Sequence, residues 1–115
     1  MSDQQQLWND YAACWSADPA IRLGALGAVA VDDVTYRHPG TEVGGLAALD
    51  AYMNGFAGAF PGHRFRIDEV FDHHGRSLAR WTQIGPDGEA FMTGVSSAVH
   101  REGLLADVTG FFLPA

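Results

Sequence analysis

The chain has 115 residues, of which 47% are hydrophobic and 18% charged, and thirteen are aromatic, so it has the composition of one folded domain with a single core rather than of a disordered segment. Its formal charge of −7, from seven Lys plus Arg against fourteen Asp plus Glu scattered without a basic run, would repel a phosphate backbone and argues against a nucleic-acid partner. One cysteine, Cys14, excludes an internal disulfide and a cysteine-based zinc site.

The start Met1-Ser2-Asp3-Gln4 has no basic n-region or long apolar stretch, and the run Gly24 to Val31 is too short to cross a bilayer, so the expectation is a cytoplasmic protein with no membrane partner. Ser2 followed by Gln5 has the form of a capping box, and Leu7, Tyr11, Cys14 and Trp15 recur at helical spacing, which predicts a first helix from Asp3 to Ser16. Cys14 reads as inert packing beside Tyr11 and Trp15. Asp18-Pro19 is an N-cap followed by the proline favoured in the first turn, and Ile21, Leu23 and Leu26 carry a short second helix to Gly27, forming a helical hairpin with the first.

Val34-Thr35-Tyr36-Arg37-His38, stopped by Pro39-Gly40, reads as a short edge strand and a turn, with Tyr36 and His38 on one face. After Gly44-Gly45, the residues Leu46, Leu49, Met53, Phe56 and Phe60 define a third amphipathic helix ending near Pro61-Gly62. A meander follows: Arg64 to Phe71, Ser77 to Ile84, Ala90 to Val99 and Leu104 to Leu113, with a glycine in every turn. Three helices followed by a long sheet make an α+β fold, in which the helices pack in the concave face of a curved mixed or antiparallel sheet and leave a cone with an open mouth.

This order of elements, with Trp8, Tyr11 and Trp15 on the first helix, Val34 to Pro39, Gly44-Gly45-Leu46, Arg80-Trp81 and Gly110-Phe111-Phe112, resembles the nuclear transport factor 2-like superfamily and its SnoaL-like members over nearly the full length. The resemblance implies one domain over residues 1–115 and a small-molecule pocket, with no metal or redox cofactor. The superfamily includes ketosteroid isomerases, epoxide hydrolases, dehydratases, polyketide cyclases and members without chemistry, so fold alone does not choose an activity.

By the same resemblance, His38 before Pro39 stands where ketosteroid isomerases carry an aspartate base, Tyr11 is the nearest equivalent of their oxyanion-stabilising tyrosine, and Val95 replaces their protonated aspartic acid. Arg80 looks like the arginine of limonene epoxide hydrolases, but Thr82 and Gly110 stand at the two aspartate positions, so neither named mechanism carries over intact. His38 is the candidate acid or base; the bland alternative is a histidine that caps its own turn. Alternation puts Leu78, Arg80 and Thr82 on one face, and the resemblance favours the concave one, although an arginine on a strand is ordinarily solvated.

Trp15, Tyr36, Met53, Phe56, Phe91 and Phe112 are candidate pocket walls beside Tyr11, each with core packing as the alternative. Val95 and Ser97, with Thr93, are expected on the inner face of their strand, and Asp107 outside. His73-His74 reads as a hairpin tip rather than a metal site, and His63 and His100 as solvated turn neighbours. The expected function is binding of a small hydrophobic, carbonyl-containing molecule, with isomerisation, dehydration or cyclisation at His38, Arg80 and Tyr11. The alternatives are a non-catalytic binding module and a homodimeric interaction domain in which Trp81, Met92 and Phe111 form an outward apolar patch.

Overall fold

A computed structural model describes residues 3–113, so the Ser2 half of the expected capping box lies outside the described residues. Helix α1 spans Asp3–Cys14 and turns Trp8, Tyr11, Ala12 and Cys14 inward. Helix α2 spans Pro19–Gly27, and the Asp18 carboxylate accepts from the Ala20 N–H at 2.8 Å, satisfying one of the donors a helix start leaves open. The stripe expected for α2 is wrong in one respect: Ile21 is 63% exposed and Leu23 48%, while Arg22 and Leu26 are buried. Arg22 wins the inward position because its Nε donates to the Cys14 carbonyl at 2.9 Å and its Nη2 to the Ala17 carbonyl at 3.0 Å, with Asp50 3.5 Å from Nη1. A single guanidinium thus caps the C-terminal end of α1 and ties it to α2 and to the third helix.

Strand β1 is Ala30–His38 and β2 is Thr41–Gly44. Helix α3, Leu46–Ala59, follows Gly45, whose φ of 94° needs a residue without a Cβ. Strands β3 (Arg64–His73), β4 (Arg76–Ile84), β5 (Ala90–Arg101) and β6 (Leu104–Leu113) complete the chain. Two of the hairpins close through left-handed pairs, His74-Gly75 at φ 48° and 74° and Glu102-Gly103 at φ 55° and 79°, the geometry that matches the twist of the flanking strands.

The sheet order is β2-β1-β6-β5-β4-β3, antiparallel throughout except for the parallel β1–β6 pair. β1 is therefore an interior strand, and the edge is β2. The expectation of an edge at Val34 to His38 fails because Thr41–Gly44, four residues between two glycine-containing turns, carries too little pattern to be read as a strand. The sheet remains open and α1 and α3 lie across its concave face, with Trp8, Leu26, Leu49, Met53, Leu105 and Val108 at the centre of the core. Trp8 Nε1 donates to Ser77 Oγ at 2.9 Å, and Ser77 Oγ lies 2.7 Å from His100 Nε2. His100 is thus a part-buried link from α1 through β4 to β5, not the solvated turn neighbour expected.

Candidate functional site

The core is incomplete at one end of the concave face. Between α1, the second half of α3 and the sheet lies a cavity of about 280 Å³, at the lower end of the usual range for small-molecule sites. Its walls are Trp8, Tyr11, Ala12 and Trp15 from α1 and its end; Tyr36 and His38 from β1; Tyr52, Phe56 and Phe60 from α3 and its end; Phe65 and Ile67 from β3; Trp81 and Gln83 from β4; Met92 and Ser96 from β5; and Gly110 and Phe112 from β6. None of these is Asp, Glu, Lys or Arg. Ring contacts lock the walls: Trp15 meets Tyr36, Tyr52, Phe56 and Phe65 at centroid distances of 5.3–6.0 Å, separations at which aromatic pairs attract beyond their simple burial.

Trp81 enters the site because Gly94, directly opposite on β5, leaves room for its indole. A Cβ at position 94 would run into that ring and stand 2.6 Å from the Phe111 carbonyl. Trp81 Nε1 donates to Ser96 Oγ at 3.0 Å, so this one of the three wall tryptophans is also fixed in angle.

His38 closes β1 at the cavity edge. Pro39 has no N–H to give, and the chain turns so that the Gly40 N–H donates to His38 Nδ1 at 2.9 Å; His38 Nε2 lies 2.5 Å from Tyr52 Oη. Burial lowers the His38 pKa below its usual 6.5, and raises that of Tyr52 above its usual 10. Tyr11 is raised well above the usual phenol value, chiefly by burial and then by neighbouring Tyr36. At neutral pH the site therefore holds un-ionised phenols and a neutral imidazole. The Tyr11 hydroxyl is shielded from water; the Trp15 indole N–H, which can only donate, is near enough to pull its pKa down against the burial but too far off line for a good hydrogen bond, so the Tyr11 O–H proton has no acceptor among the described residues, a costly state for a polar group.

The structure gathers Tyr11, Trp15, Tyr36, His38, Phe56 and Phe112 around one space and leaves the other expected residues out of it. Arg80 is on the outer face, its side chain 60% exposed and 3.4 Å from Glu69. Val95 sits opposite Arg80 and Ser97 opposite Leu78, so both face outward too. The inward phases are Ser77-Ala79-Trp81-Gln83 and Gly94-Ser96-Ala98, one residue out of step with the expectation, and such a step moves every side chain to the other face. Met53 is fully buried in the core below the cavity, and Phe91 is 56% exposed, against Phe60 and His63 beyond the walls. Thr93 shares the outer phase, and Asp107 is outside as expected, 2.6 Å from both Arg37 Nη1 and Thr35 Oγ1.

Wall residues that the sequence reading does not single out include Tyr52, Trp81, Gln83 and Ser96. Tyr52 lies one position before Met53 on α3 and had a signal of its own, an aromatic next to the apolar stripe facing the strand that carries His38. Burial pushes the Cys14 thiol up to about 11, against the pull of Arg22, which suits packing rather than nucleophilic chemistry. Among the described residues no group of three His, Cys, Asp or Glu side chains is arranged to hold a metal ion, and no helix is long and apolar enough to cross a membrane.

Helices laid in a curved open sheet around an aromatic cavity define the cystatin-like, nuclear transport factor 2-like class of α+β protein. The SnoaL-like domain model matches residues 8–108, and the chain belongs to that family. Similar solved structures include a candidate isomerase of the SnoaL-like family from Agrobacterium tumefaciens, 24% identical, covering 99% of this chain and 100% of that one at TM-score 0.91. A candidate polyketide cyclase from Sinorhizobium meliloti is 17% identical over 96% of this chain and 99% of its own, at TM-score 0.74. TerC, co-crystallised with polyporic acid, is 16% identical over 93% and 91% of the two chains, at TM-score 0.73. At these identities the likeness is one of fold. No curated protein matches the sequence.

Proposed function

We propose that this protein takes up a small, uncharged, ring-containing molecule bearing a carbonyl or hydroxyl oxygen, and polarises that oxygen with tyrosine hydroxyls. The observation that carries this reading is an aromatic cavity with no charged side chain among its described wall residues, into which Tyr11, Tyr36 and Tyr52 bring phenols that burial keeps un-ionised. The burial that keeps a cavity phenol such as Tyr52 un-ionised keeps its proton available for a bond to the ligand's acceptor oxygen. A carboxylate ligand would leave water for a site with no cation to receive it, which is strongly unfavourable.

A carbonyl polarised in this way is prepared for isomerisation, dehydration or cyclisation, and those are the reactions proposed where turnover occurs. Arg80, outside the cavity, has no part in them. The lack of any carboxylate among the described wall residues supports a second reading, binding without turnover, whose signature is saturable binding with no product. Thermal-shift measurements with acetophenone and 1-tetralone, against benzoate as the charged counterpart, test the common core of both. Each neutral ketone at about a hundredfold over its Kd should stabilise the fold by roughly 2.7 kcal/mol, and benzoate should leave it unchanged. A benzoate shift equal to that of the ketones, or no shift from any compound, would overturn the reading.

A further inference from the structure

His38 is held from both sides. On one, the Gly40 N–H donates to Nδ1 at 2.9 Å, and a backbone amide has no other role than donor. Nδ1 must therefore carry its lone pair, and in a neutral imidazole the ring proton then resides on Nε2. On the other side Nε2 is 2.5 Å from Tyr52 Oη, so the Nε2–H donates and the phenol oxygen accepts. With that acceptor position filled, the Tyr52 O–H is directed away from the imidazole. Tyr52 and His38 both line the cavity.

We propose that Tyr52 is the hydrogen-bond donor that contacts the ligand oxygen, and that His38 is not a free base but a positioning residue, a fixed N–H donor that orients the Tyr52 hydroxyl. This rests on the proposed function, since it names the group that meets the oxygen of the same uncharged ligand. The chain Gly40 N–H to His38 to Tyr52 runs from backbone to cavity, and each donor in it polarises the next. The tight Pro39-Gly40 turn is what fixes its direction: the loop between β1 and β2 has only two residues, and its single N–H belongs to Gly40. Burial of His38, which lowers its affinity for a second proton, keeps the chain in this state through neutral pH.

The ring-nitrogen spectrum of ¹⁵N-labelled protein at pH 7.5, without ligand, tests the chain directly. His38 should show an unprotonated, pyridine-like Nδ1 and a protonated Nε2, and Tyr52→Phe should shift the Nε2 signal. The opposite tautomer, or an average of the two, overturns the proposal. Binding of acetophenone and of ethylbenzene, which lacks the acceptor oxygen, tests the contact. Wild type should favour acetophenone by about tenfold, the scale of one good hydrogen bond, and Tyr52→Phe should abolish that preference, read as the ratio of the two Kd values within each protein. His38→Leu should reduce the preference, and His38→Gln, whose amide can donate in place of Nε2, should restore part of it. An undiminished preference in Tyr52→Phe overturns the contact. If neither compound binds wild type, the ligand reading falls and takes the contact with it, whereas the nitrogen spectrum still decides the role of His38.

Discussion

Tyr11→Phe removes one oxygen atom and nothing else. That oxygen is inaccessible to water, its one polar neighbour is the Trp15 indole, which can only donate, and its proton has no acceptor among the described residues; a buried polar group left unsatisfied costs about 1–3 kcal/mol. Removing it should therefore stabilise the ligand-free protein, against the usual direction for a change at a residue only 4% exposed. For 115 residues the unfolding entropy corresponds to a shift of about 4 °C per kcal/mol. The expected rise in Tm is at least a few degrees, read by differential scanning calorimetry at pH 7.5 on both proteins at equal concentration. A Tm that falls in Tyr11→Phe without ligand would show that the hydroxyl already has a partner in solution, and the argument from an unsatisfied donor would fail.

Gly94→Ala should displace the Trp81 indole and cost about 1–3 kcal/mol, as overpacking does; chemical denaturation measures the loss, and unchanged stability with unchanged tryptophan fluorescence would contradict the close approach. Burial depresses the pKa of both His38 and His100, the latter against an opposing pull from Asp72. The unfolded chain then binds more protons than the folded one below about pH 6.5. Stability should accordingly be full above that pH and decline as pH falls toward the lower folded values, and His100→Gln should flatten part of the slope in a series of melts from pH 7.5 to 5. The homodimer expected from the sequence now rests on other residues: Trp81 and Met92 line the cavity, while Phe71, Leu78, Val99 and Phe111 are exposed and share the outer sheet face with Val95. Light scattering at micromolar concentration should give a dimer, and Phe111→Glu a monomer; a wild-type monomer would remove the proposal.

The helices were legible because their stripes repeat over several turns, and the long strands because glycine turns frame them. The phase of β4 and β5 was not, and the cavity is the reason. A fully packed sheet shows large apolar residues inside and polar ones outside, but here the inner face holds Ser77, Ala79, Gln83, Gly94, Ser96 and Ala98 to leave space, and the outer face holds Leu78, Val95 and Val99. That weakens the contrast that pattern reading depends on. The resemblance singled out His38 through its place before Pro39, and the structure puts it beside the cavity with Tyr52 as its partner, a partner the sequence does not indicate. The contact joins β1 to α3 across the fold, and no spacing along the chain encodes it.

The parallel pairing of β1 with β6 joins positions 72 residues apart, as in the Thr35 to Asp107 hydrogen bond. Closing such a loop costs roughly 1.7 kcal/mol more in chain entropy than closing a ten-residue hairpin, so the β3–β5 meander can zip up first while β1 waits for β6. The Gly110 and Phe112 walls reach Tyr36 and His38 only through that last seam, and a chain arrested before it has no chamber to fill. A bound molecule should then act on one limb of the kinetics alone, slowing unfolding in proportion to its occupancy and leaving the refolding rate as it was.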